Sequence, residues 1–201
     1  MIRTELKPLL DLLNNSIAID NHVTILDRQQ LQASIYRLAE IAALESGNRQ
    51  KLARYITRLT ALAFGTYPAS IQELYLARGR GETPNTFTVP AMNLRMLSFD
   101  AARAVFRVAK SIDGAAFIFE IARSEIGYTD QRPSEYATNI LAAAIAEGYT
   151  GPVFIQGDHF QVSAKKYVNT PEAELQAVRD LITESIQAGF YNIDIDTSPL
   201  V

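Results

Sequence analysis

Apolar residues in this chain follow two rhythms that change near residue 85. Up to about residue 80 they recur every three or four positions, the spacing of helices with one buried face. Leu6, Leu9, Leu10 and Leu13 share such a face before Asn14-Asn15 interrupts it. Asp27 is placed to cap a helix over 28–46, with Leu31, Ile35, Leu38, Ile41 and Ala42 as its stripe and Gly47 as its stop. A further helix is expected over 48–64, with Leu52, Tyr55, Ile56, Leu59 and Leu62 inward, ending at Gly65 and Pro68; a short one follows over 70–77. His22 falls in a turn-like segment. These helices read as a packing or oligomerisation element.

The stretch Arg78 to Asn85 is polar and broken by glycine and Pro84, which marks a domain boundary. It separates a helical N-terminal extension, 1–84, from a second region, 85–201. Arg78 and Arg80 have the chemistry to hold a phosphate, although a solvated linker is the simpler reading of them.

Beyond the boundary the pattern becomes strand, helix, strand, helix. Residues 86–92 alternate in period two and lead to Asn93 and Arg95; Ser98 then caps a helix carrying Ala101, Ala102, Val105, Val108 and Ala109. Residues 115–121 form an apolar run, followed by a polar loop over 122–132 of the kind that carries ligand contacts. Pro133 opens a helix whose core face is Tyr136, Ile140, Leu141, Ala144 and Ile145. Thr170-Pro171-Glu172 opens another, combining a capping hydroxyl, a proline at the first position and an acid in the first turn. Strands separated by helices in this way predict an α/β fold with a parallel sheet.

The stretch Gly151 to His159 organises the rest. Val153 and Ile155 alternate with Phe154 and Gln156, Pro152 sits where a missing N–H costs least, and Gly157 leaves room before a polar tip. That tip is Asp158-His159. Neighbouring strand residues point to opposite faces, so the two side chains converge only if the backbone turns as the strand ends. The carboxyl ends of parallel strands are where α/β folds place ligands. Read alone, the pair also fits a turn residue beside a hydrogen-bonded imidazole. The last strand, 190–196, puts Ile193 and Ile195 on one face and Asp194 and Asp196 on the other. Two carboxylates on one face call for water, a cation or a metal, unless this is a half-exposed edge strand.

Composition narrows the function. The chain of 201 residues is 48% hydrophobic and 20% charged, ordinary globular material. It has no cysteine, which excludes thiolate metal sites and disulfides. A formal charge of −3 without a Lys/Arg cluster gives no footprint for nucleic acid. Charges interrupt every apolar run before the ~18 residues of a membrane span, and the first residues lack the apolar core of a secretion signal, so a cytoplasmic protein is expected.

Gly157-Asp158-His159-Phe160, followed by a helix and then Ala188-Gly189-Phe190 running into Asp194-Ile195-Asp196-Thr197-Ser198, resembles the class II fructose-bisphosphate and tagatose-bisphosphate aldolases. Phe119 to Thr129 and Pro133 to Tyr136 are similar to the tagatose-bisphosphate aldolase accessory subunit, and Val89 to Asn93 to the first barrel strand of the fructose-bisphosphate enzymes. The resemblance covers roughly residues 85 to 201. It implies a partial (β/α)8 TIM barrel of about four βα units and a zinc-dependent aldehyde-lyase that cleaves or forms a carbon–carbon bond in a phosphorylated ketose. By the same resemblance Asp158 handles the proton at the departing aldehyde oxygen, His159 binds Zn²⁺, Asn93 and Ser124 contact substrate, and Asp196 is an auxiliary or supporting cation ligand.

The chain departs from that family in two respects. Catalytic zinc takes three protein ligands, and the family draws its other ligands from strands beyond the fourth, whereas this chain has only His22 and His159. A complete barrel needs ~200 residues, and roughly 115 follow the boundary. The expectation is therefore half a barrel, completed by a missing C-terminal half or by homo-oligomerisation, with low activity alone. A non-catalytic accessory or scaffolding subunit is the alternative, and a metal-free sugar-phosphate enzyme of the same fold stays open.

Overall fold

Asp27 caps its helix as its position predicts: the carboxylate accepts the N–H of Gln30 at 2.9 Å. In the computed structural model, which describes residues 2–114 and 116–200, α1 (Ile2–Leu12) leads into an antiparallel hairpin of β1 (Ile17–Ile19) and β2 (Val23–Ile25). The helix expected over 28–46 is two, α2 (Arg28–Ser34) and α3 (Tyr36–Leu44). Ile35 between them keeps helical dihedrals, but Leu38 bonds back three residues to it at 3.0 Å while the four-residue bond from Ala39 stretches to 3.4 Å. The stripe survives this tightened join: Leu31, Ile35, Leu38 and Ala42 are all fully buried.

Gly47 opens the next helix, α4 (Gly47–Phe64), with φ +76°, rather than merely stopping the last. The carbonyls that α3 leaves free are taken by side chains of α4: Gln50 and Arg54 both donate to the carbonyl of Ala42, at 3.2 and 2.6 Å. Gly65 then ends α4 in the left-handed conformation, φ +93°, as its position predicts. The buried face of α4 differs from the expected one. Ala53, Ile56, Thr57, Thr60, Ala61 and Phe64 are buried, whereas Tyr55 is 61% and Leu62 53% exposed. Small side chains at 53, 57, 60 and 61 let the α4 backbone approach its neighbours, and the bulkier residues are left on the outer side.

The remaining elements are β3 (Thr66–Ala69), α5 (Gln72–Gly79), β4 (Ala91–Asn93), α6 (Ser98–Ser111), β5 (Ile118–Ala122), α7 (Arg123–Thr129), α8 (Pro133–Ala146), β6 (Gly151–Asp158), α9 (Ala164–Asn169), α10 (Pro171–Ala188) and β7 (Asn192–Ile193). The hairpin and β3 lie within the stretch read as helical, and α7 forms inside the loop expected over 122–132. The fold is α/β with a five-stranded sheet in the order β3-β6-β5-β4, β7 pairing with β6 as well. The pairs β4–β5, β5–β6 and β6–β7 are parallel. Among the described residues no helix is long and apolar enough to cross a membrane.

Two compact units are built from interleaved segments. The first comprises Met1–Tyr67, Met96–Ala115 and Glu135–Val153. Its core holds Leu9, Leu13, Phe106, Tyr136, Ile140 and Ile145, all fully buried. Asn139 donates to the Ser98 hydroxyl at 2.9 Å, and Arg103 and Arg107 grip Glu147 at 2.7 and 2.8 Å. The second comprises Pro68–Arg95, Ala116–Ser134 and Phe154–Val201. Phe119, Ile155, Phe160 and Phe190 are fully buried there. Burial of each such side chain is worth about 1.5–3 kcal/mol. Asn192 fastens β7 in place by accepting the N–H of Ile71 at 3.0 Å and donating to the carbonyl of Ile155 at 3.3 Å.

Candidate functional site

Asp158 and His159 share one side of the sheet because the parallel ladder carries one residue too many at that point. Asp194 donates its N–H to the carbonyl of Gly157 at 2.8 Å, and its own carbonyl accepts the N–H of Phe160 at 2.8 Å. Two residues, Asp158 and His159, thus stand where regular pairing has room for one, which is a β-bulge. Pairing resumes beyond it, with the N–H of Val162 donating to Asp196 at 3.0 Å. His159 takes up the extra length in the left-handed conformation, φ +42°, which costs about 1–2 kcal/mol for a residue with a β-carbon. Its N–H is held by the Asp194 carboxylate at 3.3 Å. Strain kept at a polar strand end is a feature of functional sites.

Three carboxylates surround the exposed imidazole. Asp158 Oδ1 lies 3.7 Å from Nε2, and on the other edge of the ring Asp194 Oδ2 and Asp196 Oδ2 lie 3.6 and 3.4 Å from Nδ1. The charge of Asp158, then the close approach of Asp196 and the charge of Asp194, raise the pKa of His159 above its ordinary value. Burial raises that of Asp158, with the neighbouring Asp194 adding to it and His159 opposing it. Asp196 moves the other way, to about 2, because Ser198 donates both its hydroxyl and its N–H to it. Asp158, His159 and Asp194 each offer one ligand atom, all within 4.8 Å of one another, an arrangement that suits a divalent cation.

Below this cluster lies a row of polar side chains in register across adjacent strands: Asn93 pairs with Glu120, Glu120 with Gln156, and Gln156 with Asn192. Gln156 donates to Glu120 at 3.1 Å. Burial, and then the charge of Asp158, push the Glu120 carboxyl up. Asn93 stands at the end of β4 and bonds Glu125 through its side chain, while its Oδ1 is buried without a partner. Glu125 also accepts from Arg95 and, at 2.8 Å, from the N–H of Ala122. Burial pushes Glu125 up, but these donors outweigh it and leave its pKa below the ordinary value.

Beside His159 opens a cleft of about 790 Å³, lined by Ser124, Arg132, Gln161, Ser163 and Lys166 among others. Ser124, exposed on α7, faces this cleft rather than the row that holds Asn93. At its edge Arg123 pairs with Glu174 at 2.5 Å, and Glu174 also accepts the N–H of Ser163 at 2.7 Å. That pair ties the turn after β5 and the segment before α9 to the first turn of α10. The arginines of the 78–85 stretch are engaged elsewhere: Arg78 donates to the carbonyls of Phe87 and Asn85, at 2.8 and 3.2 Å, and Arg80 pairs with Glu82. His22 is exposed at the tip of the hairpin.

Of the residues expected from sequence, the structure brings Asp158, His159 and Asp196 together. Glu120 and Gln161 join them without having been singled out, and Asp194 takes a central place that only its alternation with Asp196 had suggested. For Glu120 the available signal was a lone charge inside the apolar run 115–121. Comparison with protein-family models, with curated proteins and with solved structures finds no match to this chain.

Proposed function

We propose that this chain carries half of a (β/α)8 barrel and acts in metal-dependent aldol cleavage or formation on a phosphorylated ketose of the fructose- or tagatose-bisphosphate type. The observation that carries the reading is the convergence of Asp158, His159 and Asp194 at the carboxyl end of β6. Two further features support it. The strands β4, β5, β6 and β7 pair in chain order and in parallel, as in the sequential winding of a barrel, while β3 also pairs with β6. A cleft large enough for a sugar phosphate adjoins the imidazole.

The residues present offer donors a divalent cation accepts: one imidazole nitrogen and carboxylate oxygens, with ligand atoms of Asp158, His159 and Asp194 within 4.8 Å of one another. His159 and Asp194 would hold it, with Asp158 alongside. Zn²⁺ there would supply Lewis-acid polarisation of the ketone and spread the charge left after carbon–carbon cleavage. Asp158 carries the hydroxyl proton; its burial-raised pKa brings it closer to the working range of an acid–base group than a free aspartate. The buried, unpartnered Oδ1 of Asn93 is an acceptor for a substrate hydroxyl, and Ser124 offers its hydroxyl from the cleft wall. Such a barrel needs four more strands, from further chain or from a second copy.

One observation favours the accessory-subunit reading instead: His159 is the sole imidazole of the cluster. Zinc-loaded protein incubated with fructose or tagatose bisphosphate decides between them. Release of triose phosphate, reduced about 100-fold or more by Asp158→Asn, is the expected result. No triose phosphate at stoichiometric zinc, together with a stable partner complex indifferent to Asp158→Asn, would establish the accessory role.

A further inference from the structure

The carboxylate of Asp196 is fastened at both oxygens. Oδ1 accepts the N–H of Ser198 at 2.9 Å, and Oδ2 accepts the side-chain amide of Gln161 at 2.7 Å. Its backbone carbonyl is held by Val162 as well. The side chain is 13% exposed, against 48% for Asp194. Asp196 therefore has little freedom to turn, and its Oδ2 makes the shortest carboxylate approach to the His159 ring, on the Nδ1 side. The opposite nitrogen, Nε2, faces Asp158. A neutral imidazole carries one proton and offers its other nitrogen to a cation; the acceptor facing the protonated nitrogen decides which is which.

We propose that Asp196 is a positioning residue that keeps the proton of His159 on Nδ1, so that Nε2 is the nitrogen presented to a divalent cation beside Asp158. The inference rests on the metal-site reading above, and Gln161 and Ser198 belong to the same device because they aim the carboxylate. It separates two acids that alternation alone makes equivalent. Both lie on the Nδ1 side of the ring; Asp194 is the more exposed member, and Asp196 is the fixed member that orients the imidazole.

The chain has only two histidines, so a His22→Gln background leaves one imidazole to observe. Long-range ¹H–¹⁵N correlation at alkaline pH, without metal, is expected to show His159 protonated at Nδ1. In Asp196→Asn the amide oxygen stays with the Ser198 donors and its NH₂ faces Nδ1, so the tautomer is expected to invert. Asp194→Asn is expected to leave it unchanged. Asp196→Ala, as a second variant, is expected to give a mixture, and thermal melts check that each variant folds. Zn²⁺ affinity by calorimetry is expected to fall about 10–100-fold in Asp196→Asn. An Nε2-protonated parent, or an unchanged tautomer in both Asp196 variants, overturns the proposal. Absence of aldol chemistry leaves this result intact, because neither readout uses turnover.

Discussion

The ring of Phe160 lies directly under Gly157, so close that a β-carbon at 157 would stand 2.6 Å from it. Phe160 is fully buried and follows the bulge. Gly157→Ala must therefore displace a packed aromatic ring at the base of Asp158-His159. We expect a loss of about 1–3 kcal/mol, the usual cost of overpacking, read from urea unfolding. Zn²⁺ binding should weaken in the folded fraction. An unchanged urea midpoint would show that the ring moves aside freely.

Arg123 and Glu174 make the most buried ion pair of the second unit, with side chains 18% and 2% exposed. Removing one partner strands the other, so Glu174→Ala should cost about 3 kcal/mol. Glu174→Gln should cost less, because it retains an acceptor for the N–H of Ser163. Arg123 holds the Glu174 pKa below its ordinary value of 4.5. A depressed acid contributes stability that is complete above the unfolded value and is lost as pH falls through the folded one. Thermal melts below about pH 4.5 should thus fall more steeply for the parent than for Glu174→Gln.

His159 titrates in the opposite sense. Its pKa is raised, Asp158 being the main cause. Its contribution is therefore complete below the unfolded value of 6.5 and is lost as pH rises through the folded one. Proton NMR should show His159 titrating at higher pH than in Asp158→Asn. Protons compete with metal for the ring, so Zn²⁺ affinity should rise with pH across the same window.

Glu120 is held near Asp158 at a cost to stability, because its carboxyl is pushed up by burial. An acid with a raised folded pKa destabilises the fold above its unfolded value, and the penalty disappears as pH falls. Glu120→Gln should accordingly stabilise the fold at neutral pH by roughly a few tenths of a kcal/mol after solvent screening, read as a small rise in melting temperature, and leave it unchanged in acid. Equal melting of both proteins at neutral pH would remove Glu120 from the electrostatics of the site.

Local pattern reached far into the fold. The caps at Asp27 and Gly65, the stripe of α2 and α3, and the helix starts at Pro133 and Pro171 all stand where residue spacing puts them. Pattern was least informative where small residues decide. Most of the inner face of α4 is alanine and threonine, which carry little hydrophobic signal, and β1, β2 and β3 are only three or four residues long. Such short strands exist through their pairing, which lies outside any local window.

The site divides along the same line. By itself the sequence determined a strand ending in Asp158-His159 and a second segment with Asp194 and Asp196 in alternation, because two-residue periodicity is a local property of the backbone. Tertiary structure alone decided that the four side chains meet. Pleating sends neighbours such as Asp158 and His159 to opposite faces. Only the bulge set against Asp194, 35 residues further along the chain, turns both toward one place. It also decided that Asp194 is open while Asp196 is fastened, since Gln161 and Ser198 reach only the latter.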